Sequence, residues 1–390
     1  MFSVTSLGFL PFMALVVCLW YRVPQPSRWK LVLAANAVFC LSIDIGAFFA
    51  VALATAVVWQ AAQHAQPEQP SRRGWLALGL AAALLPLLVL KYSGMLVPGL
   101  RDLYKPFGLA YYSLQLAGYL LDVWHGRTAP TPSYARLWCY AGFFLSLTQG
   151  PFNRYNTLMP QLEAAPKTFE TQRLVSGLQR SAWGYFKKFA IADRAAIVVS
   201  AAFADPASFD RSQLIFATVM YSFQLYADFS GYTDIVLGMG EILGLHLPEN
   251  FRQPFFSASV KELWARWHIS LSQWFRDYVY IPLGGNRKGI ARRDANLLLT
   301  FLVSGLWHGA NWTFLVWGGL HGLCQVAEDH MPAPLRKRKS LPLRIVGVPL
   351  TFAIFVTTFT IFRTSSLGNA AAYFAGILHN PGHEVFAQYW

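Results

Sequence analysis

Long apolar stretches alternate with short polar ones along the chain, and the clearest are Leu76–Leu90, Leu214–Leu225, Leu297–Val316 and Ile345–Phe362. A helix needs roughly 20 residues to cross a bilayer core, so some of these runs are short or interrupted. Lipid offers no partner to an open sheet edge, so runs on this scale predict helices. Leu7 to Trp59 is nearly all apolar, broken at Pro24–Lys30 and Asp44, and predicts two or three helices. A polar loop, Gln60–Gly74, precedes the next span. Lys91–Lys105, with Pro98 inside it and Pro106 after it, predicts a re-entrant or interfacial piece. Phe107–Trp124 is apolar again, Tyr134–Leu147 is short, and Gly150–Arg173 predicts a polar loop. Leu174–Phe203 carries Lys187, Lys188, Asp193 and Arg194, which predicts a broken helix or two half-helices. The pattern as a whole predicts an all-α, polytopic integral membrane protein. Roughly 9 to 11 helices, some short or broken, would surround a funnel or tunnel. No fixed-period repeat occurs, and no loop is long enough for a separate domain, so 1–390 is expected to be one integral unit.

Composition agrees: 55% of the 390 residues are hydrophobic and only 13% are charged, about half the usual charged share of a soluble protein. The net charge of +13 sits in loops, at Arg22, Arg28 and Lys30, at Arg72 and Arg73, at Arg287–Arg293 and at Arg336–Lys339. That placement fits the positive-inside bias of cytoplasmic loops and not a nucleic-acid surface. The four cysteines, Cys18, Cys40, Cys139 and Cys324, show no CxxC and read as packing residues, not disulfides or a metal site. Leu7–Tyr21 has no basic residue before it and Arg22 after it, the wrong polarity for a cleaved signal peptide. It predicts a retained first helix with its N-terminus outside.

Three polar insertions carry candidate chemistry. On a helical wheel, Trp264, Trp267, Leu271, Trp274, Phe275 and Tyr278 share one face, and Arg266, Gln273, Arg276 and Asp277 the other. His268 lies at the edge of the aromatic face. This segment is too charged to span and is expected to lie at an interface or line an internal funnel, ending at Pro282 and Gly284–Gly285. His308 falls midway along the apolar run Leu297–Leu320, among Ser304, Gly305, Gly309 and Ala310. An ionisable group there is costly and points to function. His321 falls on roughly the opposite face and reads as structural. The third insertion, "YADFSGYTD", offers Asp228, Ser230, Tyr232 and Asp234 to bind substrate or to fix a histidine tautomer. Spacing alone does not choose between those roles.

The stretches "DFSGYTDIVLGMGEILGLHLPENFRQPFFSASVKELWARWHISLSQWFRDYVYIPLGGNR" and "LVSGLWHGANWTFLVWGGLHG" resemble the membrane-bound O-acyltransferase family. Its nearest branch is that of the bacterial alginate O-acetylation proteins. "LQLAGYLLDVWHGR", "GPFNRYNTLMPQL" and "GYFKKFAIADR" match as well, so the likeness covers about Tyr111 to Phe362. It implies a family-like core over 107–362, preceded by N-terminal helices in 1–106 and followed by a C-terminal helix in 363–390. It also implies that His308 in "SGLWHG" is catalytic and His268 in "RWHISLS" supports it. Trp267, Arg276, Trp307 and Asn311 join the aspartate cluster as expected substrate contacts. "GPFNRY" leans toward the teichoic-acid D-alanylation branch, whereas "IPLGGNRKG" and "DFSGYTD" match polysaccharide O-acetylation better.

Acyl transfer from a thioester needs a base, oxyanion stabilisation and an aligned donor and acceptor. A desolvated imidazole favours its neutral form, so His308 is expected to accept the proton of the incoming hydroxyl. His268 is expected to position the donor or polarise its carbonyl. The resemblance implies acetyl-CoA as donor, with no tightly bound cofactor and no metal. It also implies an extracytoplasmic polysaccharide acceptor, a partner acetyltransferase outside the cell, and a multi-pass place in the bacterial inner membrane. Two other classes stay open at this stage. A carrier could use Asp228, Asp234 and the Lys187–Arg194 segment as a polar path, although no inverted repeat is visible. A non-catalytic scaffold would tolerate loss of His308.

Overall fold

The computed structural model describes residues 3–97, 103–166, 168–333, 335 and 340–381. Among them every regular element is helical and there is no strand. Among the described residues, three helices are long and apolar enough to cross a membrane: α3 (Ile45–His64), α4 (Arg72–Leu96) and α15 (Leu341–Arg363). The chain forms two compact units, one of Met1–Tyr185 with Tyr232–Glu249, the other of Phe186–Gly231 with Asn250–Trp390.

The first unit holds α1 (Phe9–Trp20), α2 (Arg28–Ile43), α3, α4, α5 (Leu109–Trp124), α6 (Tyr134–Ala141), α7 (Tyr155–Ala164) and nearly all of α8 (Thr171–Phe186). The segment expected to be a polar loop at Gly150–Arg173 therefore contains a helix, α7. The Lys91 part of the expected re-entrant piece is instead the last turns of α4, and Pro98 lies outside the described residues. Asp44 separates α2 from α3. Its Oδ1 accepts from the Gly46 N–H at 2.9 Å, capping α3, and its Oδ2 accepts from the Phe107 N–H at 3.2 Å and from the Tyr104 hydroxyl.

The opposite end of this unit is basic. Arg28, buried, donates to the carbonyls of Ala165 and Pro166 at 3.1 and 2.8 Å. Arg72 stacks over the Trp124 ring at 4.1 Å, and Arg136 lies 5.4 Å from the Trp29 ring. The Trp59 indole and the Gln63 amide meet the Thr131 carbonyl at the same end.

In the second unit, α9 (Asp193–Ala204) follows α8 through a π turn at Lys187–Ala192. The expected break is thus a widened turn in a continuous helix, a feature that recurs at functional sites. Asp228–Asp234 lies inside one long helix, α10 (Arg211–Ile242), not in a segment beyond its apolar run. Next come α11 (Val260–Arg266), α12 (Ile269–Phe275), α13 (Ile290–His308), α14 (Trp312–His330), α15 and α16 (Leu367–His379). Residues Arg336–Lys339, expected to be a basic loop, and all of 382–390 lie outside the described residues.

Two expectations change here. Leu297–Leu320 is not one span: Gly309–Asn311 breaks it, and α13 and α14 form a hairpin with His308 as the last residue of α13. The hairpin is tight because a Cβ on Gly305 would stand 2.3 Å from the Phe314 carbonyl oxygen, and one on Gly318 2.4 Å from that of Phe301. Such backbone-to-backbone approach is how small residues let helices associate in lipid. Nor is Trp264–Tyr278 one helix, because the chain turns at Trp267–His268. The aromatic face survives the break: Trp264, Trp267, Leu271, Trp274, Phe275 and Tyr278 are all buried, while Gln273 and Arg276 are exposed. Trp264 and Trp267 form a core with Trp317, Phe355 and Phe359.

Candidate active site

The break between α11 and α12 is built by named contacts. Ser259 caps α11, accepting from the Glu262 N–H at 3.0 Å, and Glu262 reaches back to the Ala258 N–H at 2.8 Å. The buried Glu328 carboxylate accepts from the Val260 and Lys261 N–H groups at 2.7 and 3.0 Å. Acidic groups at a helix N-terminus are favoured by its exposed donors and dipole. Burial alone would raise the Glu262 carboxyl. The Ala258 N–H, Arg266 and Arg344 outweigh it and hold that group below its usual range.

His268 sits at the break with φ 43° and ψ 52°, a left-handed backbone rare in residues other than glycine. Holding it there is uphill, so the surroundings must enforce it. Asn250, fully buried, does so from across the turn. Its carbonyl accepts from the Ile269 N–H at 3.0 Å, and its side-chain oxygen accepts from the Ser270 N–H at 3.2 Å and the Ser270 hydroxyl at 2.6 Å. Two residues on, the Arg252 N–H donates to the Arg266 carbonyl at 2.9 Å. The imidazole of His268 is buried against the edge of Phe229, with ring centroids 4.6 Å apart.

His308 is half-buried at the hairpin turn. Its ring meets Trp307 at 4.9 Å, Trp317 at 5.2 Å and Phe362 at 5.3 Å, all edge-on. Trp307 also lies 6.2 Å from the His268 ring, so one indole neighbours both imidazoles. The histidines are close enough for the charge of His308 to act on His268. Trp317 is 1% exposed, and its indole N–H meets no acceptor among the described residues. Leaving such a donor unmade costs about 1–3 kcal/mol.

His321, also fully buried, has a defined role. The Trp264 indole N–H donates to its Nδ1 at 3.2 Å, so a neutral ring carries its proton on Nε2 and donates to the Thr358 hydroxyl at 3.0 Å. Thr358 in turn donates to the Ile354 carbonyl at 2.8 Å. This is the structural behaviour expected of His321.

Beside these residues lies a cavity of ≈ 280 Å³ between α11–α12 and α13–α14. Trp264, Phe275 and Phe301 give it apolar walls, while Ser272, Thr300, Ser304 and Gln325 face it with polar groups. Ser304 is one helical turn before His308, and Ser272 one turn after His268, about 6 Å along each axis. Lys261, paired with Asp329, and Arg276 also line it. A π turn at Arg276–Tyr280 extends α12 along this wall.

The other expected contacts are distributed. Lys188 pairs with Asp228 at 2.6 Å, and Lys187, buried, donates to Ser230 at 2.9 Å. In the first unit, Tyr232 bonds the Thr148 hydroxyl and Asp234 pairs with Arg180 at 3.1 Å. Trp267 is a core residue against Phe251, Phe355 and Phe359. Asn311 caps α14 through the Thr313 N–H at 3.1 Å and donates to the Ser365 carbonyl at 2.5 Å. Trp307 and Arg276 are the two substrate contacts of the original set that stand beside the histidines or the cavity. Sequence reading missed Asn250 and Trp317. A conformation at residue 268 and a missing acceptor at residue 317 leave no mark in the sequence. No group of three or more His, Cys, Asp or Glu able to hold a metal occurs among the described residues.

The sequence model of the membrane-bound O-acyltransferase family matches residues 91–366. A probable alginate O-acetylase of Azotobacter vinelandii is 34% identical over 385 residues, covering 94% of this chain and 76% of that protein. A peptidoglycan O-acetyltransferase of Helicobacter pylori is 31% identical over 350 residues, covering 81% and 66%. A teichoic acid D-alanyltransferase of Bacillus subtilis is 28% identical over 335 residues, covering 80% and 84%. With the match running through both histidine segments and most of the chain, this all-helical protein belongs to the membrane-bound O-acyltransferase family.

Proposed function

We propose that the protein transfers acetyl from a thioester, acetyl-CoA, to a hydroxyl of an extracytoplasmic polysaccharide. The hydroxyl belongs to the polymer itself or to a partner acetyltransferase that passes the group on. The observation that carries the reading is the pair of imidazoles about one indole, Trp307, with a cavity one helical turn from each. The O-acetylating relatives, of alginate and of peptidoglycan, run to higher identity than the D-alanylating one, which favours acetyl and a glycan.

In this mechanism the thioester arm enters the cavity past Lys261 and Arg276, whose charge suits an anionic carrier. His308 takes the proton of the incoming hydroxyl as that oxygen attacks the thioester carbonyl. The carbon–oxygen bond forms, and the carbonyl oxygen gains negative charge. The Trp317 N–H donates to that oxyanion, and His268 orients the carbonyl. Collapse breaks the carbon–sulfur bond, and the departing thiolate takes the proton from the His308 imidazolium. An oxyanion donor is typically worth about 10²–10³ in kcat.

For orientation, the end of the first unit bearing Arg28, Arg72 and Arg136 faces the cytoplasm of a bacterial inner membrane under the positive-inside bias. The Asp44 end then faces outward. The test is His308→Ala, measured as acetyl ester on exported polymer at equal protein in the membrane. Loss of ester is expected; wild-type ester content would remove His308 from the mechanism.

A further inference from the structure

On the second unit, an open hollow of ≈ 600 Å³ lies against α11, lined by Arg252, Gln253, Ala265 and Arg266. It is separate from the cavity beside the histidines, to which α11 presents Lys261 and Trp264. Two contacts fix its walls. The Arg252 N–H donates to the Arg266 carbonyl at 2.9 Å, and Arg266 Nη1 donates back to the Arg252 carbonyl at 3.5 Å. Gln253, at φ 46° and ψ 59°, then turns the chain into Pro254. Arg252 and Arg266 are thereby held side by side. The charges here do not balance. Glu262 already meets three donors: its Oε1 accepts from Arg266 at 2.7 Å and Arg344 at 3.3 Å, and its Oε2 from the Ala258 N–H at 2.8 Å. Arg252 is exposed, and its guanidinium meets no acceptor among the described residues. Three guanidiniums thus stand about one carboxylate, and a guanidinium fork matches phosphate oxygens two at a time.

Depth in the membrane identifies what carries the phosphate. Arg344 lies in the first turn of α15, a helix able to cross a bilayer. Leu341, Ile345 and Val346 beside it are apolar and 70%, 64% and 66% exposed, as a surface against lipid should be. Phe256, whose carbonyl accepts from Arg344 at 3.4 Å, is 65% exposed. The edge of the hydrocarbon therefore runs through this turn, and the guanidiniums sit at headgroup level. A soluble anion would make no use of the apolar rim. A phospholipid uses both parts, with its phosphate on the arginines and its acyl chains against Phe256, Leu341 and Ile345. The excess positive charge disfavours a choline headgroup and favours an anionic one.

We propose that this hollow is a binding site for an anionic phospholipid, with Arg252 and Arg266 holding its phosphate and Arg344 beside them. The site is independent of the acyl-transfer reading and involves no covalent step.

The experiment uses the full chain in a neutral detergent, titrated with phosphatidylglycerol and, separately, with phosphatidylcholine of the same acyl chains. Native mass spectrometry counts the bound lipids, and the melting temperature is followed in parallel. The wild type should bind phosphatidylglycerol more tightly than phosphatidylcholine and melt at a higher temperature with it. Arg252→Gln should weaken the tightest phosphatidylglycerol binding by about tenfold, the usual scale for a lost charge-assisted hydrogen bond. Its guanidinium holds no other part of the fold, so without lipid the variant should melt as the wild type does. Arg252→Lys should keep part of the affinity, which separates lost charge from lost folding. Arg292→Gln is the control, because it removes the same charge from an exposed position outside the hollow, and it should bind as the wild type does. Equal phosphatidylglycerol affinity in wild type and Arg252→Gln overturns the proposal. So does an equal loss in Arg292→Gln, which would mean diffuse charge and no site. Equal wild-type affinity for the two lipids overturns it too, as does full displacement of phosphatidylglycerol by inorganic phosphate, which would make the hollow a site for a soluble anion.

Discussion

Replacing Gly305 with alanine tests whether the α13–α14 hairpin sets the working position of His308. A methyl group at 305 would stand 2.3 Å from the Phe314 carbonyl oxygen, about 1 Å inside the 3.4 Å at which ordinary contact begins. The obstacle is backbone, so no side chain can swing aside, and the helices must part by about that 1 Å. The turn at Gly309–Asn311 is too short to absorb the shift, so His308 moves relative to Trp317 on the facing helix. A displacement of 1 Å in a reacting group can cost about 10²-fold in rate. Alanine itself favours the helix over glycine by about 1 kcal/mol, which offsets part of the strain and keeps the variant folded.

The assay is the initial rate of acetyl transfer by purified protein at saturating donor, with the melting temperature measured in parallel. Gly319→Ala is the control. Its added methyl would meet only a Leu302 side-chain carbon at 3.6 Å, an ordinary contact. The expected result is a fall of about 10²-fold in kcat for Gly305→Ala and a near wild-type rate for Gly319→Ala. A wild-type rate in Gly305→Ala, or an equal loss in Gly319→Ala, would refute the argument.

Two further outcomes are expected. Trp317→Phe keeps the ring against His308 but removes the buried N–H. Its kcat should fall by about 10²-fold with KM little changed, while thermal stability holds or rises because an unmet donor is gone; a stability loss with unchanged kcat would make Trp317 purely structural. Asn250→Ala removes the acceptor for the Ser270 N–H and hydroxyl, so unfolding by denaturant should show about 1–3 kcal/mol less stability. The same variant should lower kcat as His268 leaves its left-handed backbone, and an unchanged kcat would separate that backbone from catalysis.

The amino-acid pattern alone determined that the chain is helical and apolar enough for lipid, because both follow from local composition and period. It also determined which face of Trp264–Tyr278 is buried. A 3.6-residue period places those rings together whether or not the helix is continuous, since each short helix keeps its own phase. Part of the hairpin turn was also written there: Gly309 follows His308, and Asn311 is a favoured cap for the helix that begins at Trp312. Uninterrupted hydrophobicity across those residues masked the signal.

Tertiary structure decided the rest. Asp228 and Ser230 meet lysines some forty positions earlier in the chain, and Asp234 meets Arg180, so a cluster that looks like one polar site divides among distant partners. The left-handed turn at His268 exists because Asn250, remote along the chain, supplies its acceptors. Residue type and spacing carry local preference, but a strained backbone, an unmet donor or an ion pair depends on atoms that only folding brings within reach.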